Sequence, residues 1–355
     1  MSKIKVLAIP SDQHGVGKYR MMDPYKFIGE NYSDEIHVDI SLDVPNNDDL
    51  FKDYNVVVFH TFIHRTNHGD NLNRINWLKN KGIKVIMDID DLWFVDQRHP
   101  MFHHIRNSGV GQMKIEMLKI IDYVTTTTPI FAKTINKKLG VENVIIFPNA
   151  VNEDEPQFQN KKTESDKIRF GWLGGSSHLH DIDLLTNGIS SIHYAYKDKA
   201  QFVLCGFDLR GTITEVDRQT QEQRQRPIEP METVWYKYEK IFTDNFKVLD
   251  NDYTTYLHKF VSEPSYDDIN KPYRRRWTEN INIYASNYNL FDVSLAPLVE
   301  SEFNANKSQL KIIEAGFFKK AVIASETNPY LLDLVSAVDN GKFNDKGNAL
   351  LVNVN

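Results

Sequence analysis

Short apolar runs alternate with longer amphipathic stretches through the first part of the chain. The runs Ile4–Pro10, Glu35–Ile40, Asn55–Thr61, Ile83–Asp88, Tyr123–Thr128 and Val144–Pro148 predict strands. Several are nearly continuous in apolar residues, the pattern of strands buried on both faces of a parallel sheet. Between them, Asp70–Asn80 and Gln112–Ile121 have helical character. Strand, helix and strand in alternation predict a doubly wound α/β domain.

Residues 152–167 break the rhythm: they are polar, charged and contain Pro156, and read as an interdomain linker. The pattern then restarts with a strand at Ile168–Leu173, a Gly/Ser turn and a helix from about Asp181. Gln201–Cys205, Phe291–Ala296 and Ala321–Ala324 are further strands. From Leu209 to about Pro272 the rhythm is lost, so this region reads as an insertion of irregular structure. The expected organisation is a Rossmann-like domain 1–151, a linker 152–167, and a second Rossmann-like domain 168–355 with an insertion at about 209–272.

The length of 355 residues suits two domains, and 41% hydrophobic with 25% charged residues is ordinary for globular cores. A net charge of -6 gives no support to a general nucleic-acid binder. The single cysteine, Cys205, lies in an apolar run and reads as a core residue, so no disulfide framework is expected. No secretory h-region and no run of ~20 apolar residues is present, and a soluble cytoplasmic protein is the expectation, with peripheral membrane contact left open.

Ligands of open α/β sheets bind at the carboxyl ends of strands, so residues just after the predicted strands carry the candidate chemistry. After the first strand comes His14-Gly15-Val16-Gly17-Lys18-Tyr19-Arg20. Gly15 and Gly17 allow close backbone approach to a ligand and Arg20 can reach a phosphate; a plain strand-to-helix turn fits equally. At the end of the third strand, His60 can act as a base or bond a sugar hydroxyl, or simply be solvated. Asp88, Asp90 and Asp91 crowd the next strand end, with Asp88 and Asp90 on one face. They can orient an acceptor hydroxyl, supply a base or bind a metal; the alternative is a helix cap with first-turn acids.

In the second half, Gly174, Gly175, Ser176 and His178 follow a strand and lead into a helix. Exposed N–H groups there favour a diphosphate, although a structural turn has the same composition. The segment Phe303–Glu314 contains Asn304, Asn306, Lys307, Ser308, Lys311 and Glu314. Lys307-Ser308 is expected where a helix begins, with Ser308 as its cap or a phosphate donor, which places Lys307, Lys311 and Glu314 on one face, with the lysines able to neutralise phosphate and Glu314 able to accept both ribose hydroxyls; a solvated amphipathic face has the same spacing. The run Tyr273-Arg274-Arg275-Arg276-Trp277 reads as a solvated face, or as a contact for a polyanion.

Several elements in this order resemble the glycosyltransferases of the GT-B fold, in particular the retaining family 4. Phe147-Pro148-Asn149-Ala150-Val151 resembles the element that ends the family's first domain. Asp292–Leu298 resembles the strand and loop before the donor helix, and Lys307–Glu314 followed by Ala315-Gly316 and Ala321–Ser325 resembles that helix and its next strand. The resemblance implies two Rossmann-like domains facing a central cleft, a nucleoside-diphosphate sugar as donor substrate, a hydroxyl acceptor on the first domain, retention at the anomeric carbon, and no metal or permanently bound cofactor. It places Glu314 on the donor ribose. The first glutamate of the same family element falls on Asn306, and the family's diphosphate-binding Arg and Lys fall on Gly175 and His180. Lys307, Lys311 or Arg20 would then supply that charge, with Asp88, Asp90 or His60 orienting the acceptor. The alternatives are an epimerase or hydrolase of nucleotide sugars on the same fold, a non-catalytic sugar-nucleotide-binding protein, and transfer onto modified DNA through Arg274, Arg275 and Arg276.

Overall fold

The computed structural model describes residues 3–42, 48–64, 68–99, 101–161, 163–216, 219–220, 222–249 and 266–354. The chain forms two compact units, residues 1–152 with 300–313, and residues 153–299 with 314–355.

The first unit is built on β1 (Ile4–Ile9), β2 (Ile36–Ile40), β3 (Val56–His60), β4 (Lys84–Ile89), β5 (Tyr123–Thr126) and β6 (Val144–Ile146). They form a parallel sheet in the order β2-β1-β3-β4-β5-β6. The continuous apolar runs have the expected cause. Leu7, Ile9, Val57, Phe59, Val85, Met87 and Ile89 enter one core cluster, while the alternate residues Val6, Ala8 and Val58 enter another with Met21. Helices His68–Asn80, Val110–Ile120 and Pro129–Leu139 supply crossovers. Thr128 caps the last of these by accepting from the Phe131 N–H at 3.2 Å.

The second unit contains β7 (Ile168–Leu173), β8 (Ala200–Phe207), β9 (Thr212–Val216), β10 (Gln223–Pro227), β11 (Tyr273–Trp277), β12 (Val293–Ala296), β13 (Ala321–Ser325), β14 (Val338–Asp339), β15 (Lys342–Phe343) and β16 (Leu350–Val352). Its main sheet is parallel, in the order β11-β8-β7-β12-β13-β16; β9 with β10 and β14 with β15 form small antiparallel ribbons. Both main sheets contain a point where the strand order reverses, between β1 and β3 and between β7 and β12. Those are the places where α/β sheets bind ligands.

The stretch 152–167 is not a bare tether. Phe158 is buried, the Gln157 side chain accepts from the Ala285 N–H at 3.2 Å, and the Lys161 N–H donates to Asn289 at 2.7 Å. The region expected to be irregular also contains regular structure. Helix Val234–Phe242 buries Trp235, Tyr238 and Phe242 against Trp172 and Phe202 in the core of the second unit. Residues 250–265 of that expected insertion lie outside the described residues.

The arginine run requires a correction. Tyr273–Trp277 is a strand, not a solvated face. Arg275 pairs with buried Glu239 at 2.9 Å and stacks 4.4 Å from the Phe207 ring centroid. Arg274 pairs with Asp267 at 2.6 Å, and Arg276 with Asp267 at 2.5 Å and Glu279 at 3.6 Å. Their charge is matched inside the unit, so the residues expected to offer a polyanion contact are occupied. Among the described residues, no helix is long and apolar enough to cross a membrane.

Candidate functional site

In the first unit the predicted residues converge at the carboxyl ends of β1, β3 and β4. After β1, Asp12 organises the turn. Its Oδ1 accepts from the N–H groups of His14 at 2.7 Å and Gly17 at 3.2 Å, and its Oδ2 from the Ser11 hydroxyl at 2.8 Å. Burial works to raise the Asp12 carboxyl, but these hydrogen bonds outweigh it and hold it low. Gly17 is required by contact, since a Cβ there would lie 1.8 Å from the Asp12 carbonyl oxygen. The chain then makes a π-helical turn, Lys18–Met22, before helix Asp23–Asn31.

Arg20, on that turn, points inward. It is 1% exposed and grips Asp88 with two bonds, Nε to Oδ2 at 3.0 Å and Nη2 to Oδ1 at 2.6 Å. Its Nη1 donates to the Phe147 carbonyl and to Asn149 Oδ1 at 3.0 Å. The Thr125 hydroxyl donates to Asp88 Oδ1 at 2.6 Å. The guanidinium expected to reach a phosphate is therefore committed within the protein, and Asp88 is the carboxylate that holds it. Asn149 continues the network by donating to the Ser308 hydroxyl at 2.9 Å. Asp88, Arg20, Asn149 and Ser308 thus form one hydrogen-bonded line.

His60 and Asp90 form a second pair, Nε2 to Oδ1 at 2.8 Å. Burial pulls the His60 imidazole down, yet the Asp90 charge and hydrogen bond, with Asp88, more than compensate and raise it above 6.5. Burial pushes Asp90 up, and His60, Arg20 and Lys114 together bring it down to about 2. The next residue after His60, Thr61, has φ 64°, a strained conformation for a β-branched side chain, and its N–H donates to the Asp88 carbonyl at 3.0 Å. This strained turn fixes where the imidazole lies. Because the folded value of His60 is raised, its contribution to stability is complete below pH 6.5 and fades as pH rises through the folded value. Denaturation midpoints of the protein and of His60→Gln should therefore differ most at about pH 6 and below, and converge at alkaline pH.

Asp91 differs from its two neighbours. It keeps an exposed surface and makes no ion pair or hydrogen bond among the described residues. Crowding by protein and the Asp90 charge push its carboxyl up to about 6. Lys307 and Lys114 stand near enough to lower it in part. The Lys114 ammonium lies 5.4 Å from the Trp93 ring centroid, and that of Lys307 lies 4.8 Å from Phe303, whose ring packs on His99 at 4.7 Å.

The segment expected to carry the donor is divided. Residues 300–313 belong to the first unit and Glu314 to the second. Ser301 caps the short helix Glu302–Ala305 by accepting from the Asn304 N–H at 3.1 Å, and Asn306 Nδ2 donates to the Glu302 carbonyl at 2.7 Å. Asn304 and Asn306 are both buried. The following helix is Leu310–Phe317, so Lys307 and Ser308 precede it and the single face expected for Lys307, Lys311 and Glu314 does not form. Lys307 instead closes the turn after the short helix, its N–H donating to the Asn304 carbonyl at 3.1 Å. The spacing of charged residues does not reveal that turn.

In the second unit, Glu314 is buried and accepts from two tyrosines, Tyr284 at Oε1 and Tyr288 at Oε2, the latter at 3.0 Å. The loop after β7 lies at the strand-order reversal. Gly175 and Ser176 are exposed there. Tyr238 holds the loop from below, accepting from the His178 N–H at 2.8 Å and donating to the Gly175 carbonyl at 3.3 Å. The His178 imidazole meets Asp181 at 2.8 Å, and Asp181 accepts from the Val299 N–H at 2.9 Å, joining the loops after β7 and β12. Gly206, at φ 100°, lets the chain pass, because a Cβ would lie 2.3 Å from the Gly174 carbonyl oxygen.

Sequence reasoning missed Asp12, Lys114, Tyr238, Tyr284 and Tyr288, and took Asp181 only as the start of a helix. Only Asp12 had a local signal, its place just ahead of the paired glycines. Among the described residues, no three His, Cys, Asp or Glu side chains converge so as to hold a metal ion.

No protein-family model matches the chain, and no curated protein matches it either. Solved structures do. Sucrose-phosphate synthase from Thermosynechococcus elongatus superposes with a TM-score of 0.54 at 11% identity, over 99% of this chain and 86% of that one. An alpha-glucosyltransferase in complex with UDP and a 13-mer DNA containing an HMU base superposes with a TM-score of 0.50 at 10% identity, over 92% of this chain and 80% of that one. This chain has the GT-B fold. At such identities the likeness establishes the GT-B architecture of two parallel-sheet units, and leaves the chemistry to the residues.

Proposed function

We propose that this GT-B chain transfers a sugar from a nucleoside-diphosphate sugar to a hydroxyl acceptor. The observation that carries the reading is buried Glu314, on helix Leu310–Phe317 and bonded to Tyr284 and Tyr288, in the same unit as the exposed loop after β7. A carboxylate accepts several hydrogen bonds at once and suits the two ribose hydroxyls, while N–H groups of the Gly174–Ser176 loop suit a diphosphate. His178 fixes that loop through Asp181.

The acceptor oxygen bonds to the anomeric carbon as the bond from that carbon to the diphosphate breaks. The acceptor's proton passes to the departing phosphate oxygen, and retention is the expected stereochemical outcome. The protein's part is to stabilise the departing charge and orient the acceptor. Since Asp88 and Asp90 are held by Arg20 and His60, Asp91 is the carboxylate left to accept a hydrogen bond from the acceptor hydroxyl. No resident cofactor enters this scheme; the nucleotide sugar arrives as substrate.

A panel of nucleoside diphosphates tests the reading by thermal shift. The matching one should stabilise the fold by about 2.7 kcal/mol at a hundredfold excess over Kd. No shift with any of them would remove the donor. Incubation of the sugar nucleotide alone distinguishes an epimerase, which would convert it to another sugar nucleotide without an acceptor. In the transferase, Asp91→Asn should lower kcat/KM for the acceptor about 10–100-fold, the worth of one hydrogen bond to a charged group, with donor affinity unchanged.

A further inference from the structure

The chain leaves β4 through Asp90, Asp91 and Leu92 to Trp93 and Phe94, and there it borders a cavity of about 340 Å³. Phe102 and Ile105, one turn apart on helix Phe102–Ser108, line it, as do Gly111 and Ile115 on helix Val110–Ile120. Arg106 and Gln112 are its polar members. The walls are otherwise apolar, and Phe94 remains 39% exposed.

Two observations at Trp93 bear on what the cavity could take. Trp93 is 3% exposed, and its Nε1 is buried with no hydrogen-bond partner among the described residues. A buried donor without an acceptor is costly and is rare in folded proteins. Gly111 places the helix directly on this indole, for a Cβ would lie 2.9 Å from Trp93 Cδ1 and 3.4 Å from Nε1. Lys114, from the same helix, covers the Trp93 ring and feels the charges of Asp90 and Asp91. The indole is thus shared between the charged cluster and the apolar cavity.

We propose that the cavity takes the apolar end of the acceptor, an alkyl or aryl group joined through an oxygen that accepts a hydrogen bond from Trp93 Nε1. Its role as an acceptor site rests on the transferase reading above. A bare sugar does not fit these walls, because its hydroxyls would be buried against Phe102, Ile105 and Ile115 without partners. The volume lies at the lower end of the range for small-molecule pockets, about 300–1,000 Å³, and so suits a short chain or one ring.

Calorimetric titration with methyl, butyl, hexyl and octyl β-D-glucopyranoside, each below its micellar concentration and with no donor present, tests this. Affinity should rise about fourfold per added methylene until the cavity is full. Ile105→Asp should abolish the increment, and Trp93→Phe should lower the affinity of the longer homologues several-fold. Equal affinity for methyl and octyl glucoside would overturn the proposal, as would an unchanged increment in a folded Ile105→Asp protein. If Ile105→Asp does not fold, the series on the native protein still decides. In a parallel incubation of each glucoside with the nucleotide sugar that matches in the thermal-shift panel, binding that follows chain length without any transfer would refute the transferase reading and keep the cavity; transfer to all homologues with equal affinity would do the reverse.

Discussion

Replacing Arg20 by methionine should lower the stability of the protein by about 3–5 kcal/mol, the cost of leaving one member of a buried ion pair alone. Arg20 and Asp88 are each 1% exposed, so water cannot stand in for the lost guanidinium. The same substitution strips donors from the Phe147 carbonyl and from Asn149, which in turn positions Ser308. The double variant Arg20→Met/Asp88→Leu should recover most of the loss, because removing both charges removes the desolvation penalty. Chemical denaturation of the two single variants and the double measures the coupling directly. If Arg20 were instead a phosphate ligand, Arg20→Met would weaken nucleotide binding while leaving the denaturation midpoint in place. A midpoint that does not move therefore sinks the structural assignment.

The strands were legible because a parallel sheet buries both faces, and Ile4–Ile9 or Lys84–Ile89 announces that by composition alone. Ile168–Leu173 was legible to the residue for the same reason. What sequence could not show was charge compensation over distance. Arg274–Arg276 looks solvated until Glu239 and Asp267 are brought against it by the fold. Arg20 looks available until Asp88, far along the chain, is placed under it. In both cases the local run of residues states the charge, and only the tertiary pairing states whether it is free. The three carboxylates at the end of β4 and just beyond it show the same limit: close in sequence, they differ because His60 and Arg20 select two of them and leave Asp91. The segment expected to carry the donor departs from expectation at its start, where the Ser301 cap and a short helix delay the main helix to Leu310.

Glu314→Gln should weaken binding of the matching nucleoside diphosphate about 100-fold, close to ~3 kcal/mol, as expected when a charged acceptor of ribose hydroxyls becomes neutral. The substitution keeps the volume of the side chain, so packing around Tyr284 and Tyr288 survives. Stability alone cannot distinguish a ribose ligand from a purely structural acceptor for the two tyrosines, since either role would cost something on removal. The sugar of the nucleotide can. The unmodified protein should prefer the ribonucleoside diphosphate over its 2′-deoxy counterpart, and Glu314→Gln should bind the two almost equally. Tyr288→Phe supplies the complementary case, because it removes one donor to the carboxylate and leaves the charge. It should reduce affinity less than Glu314→Gln does and preserve the preference for ribose. Equal affinity of the unmodified protein for both sugars would assign Glu314 to the tyrosines alone and remove the observation on which the transferase reading stands.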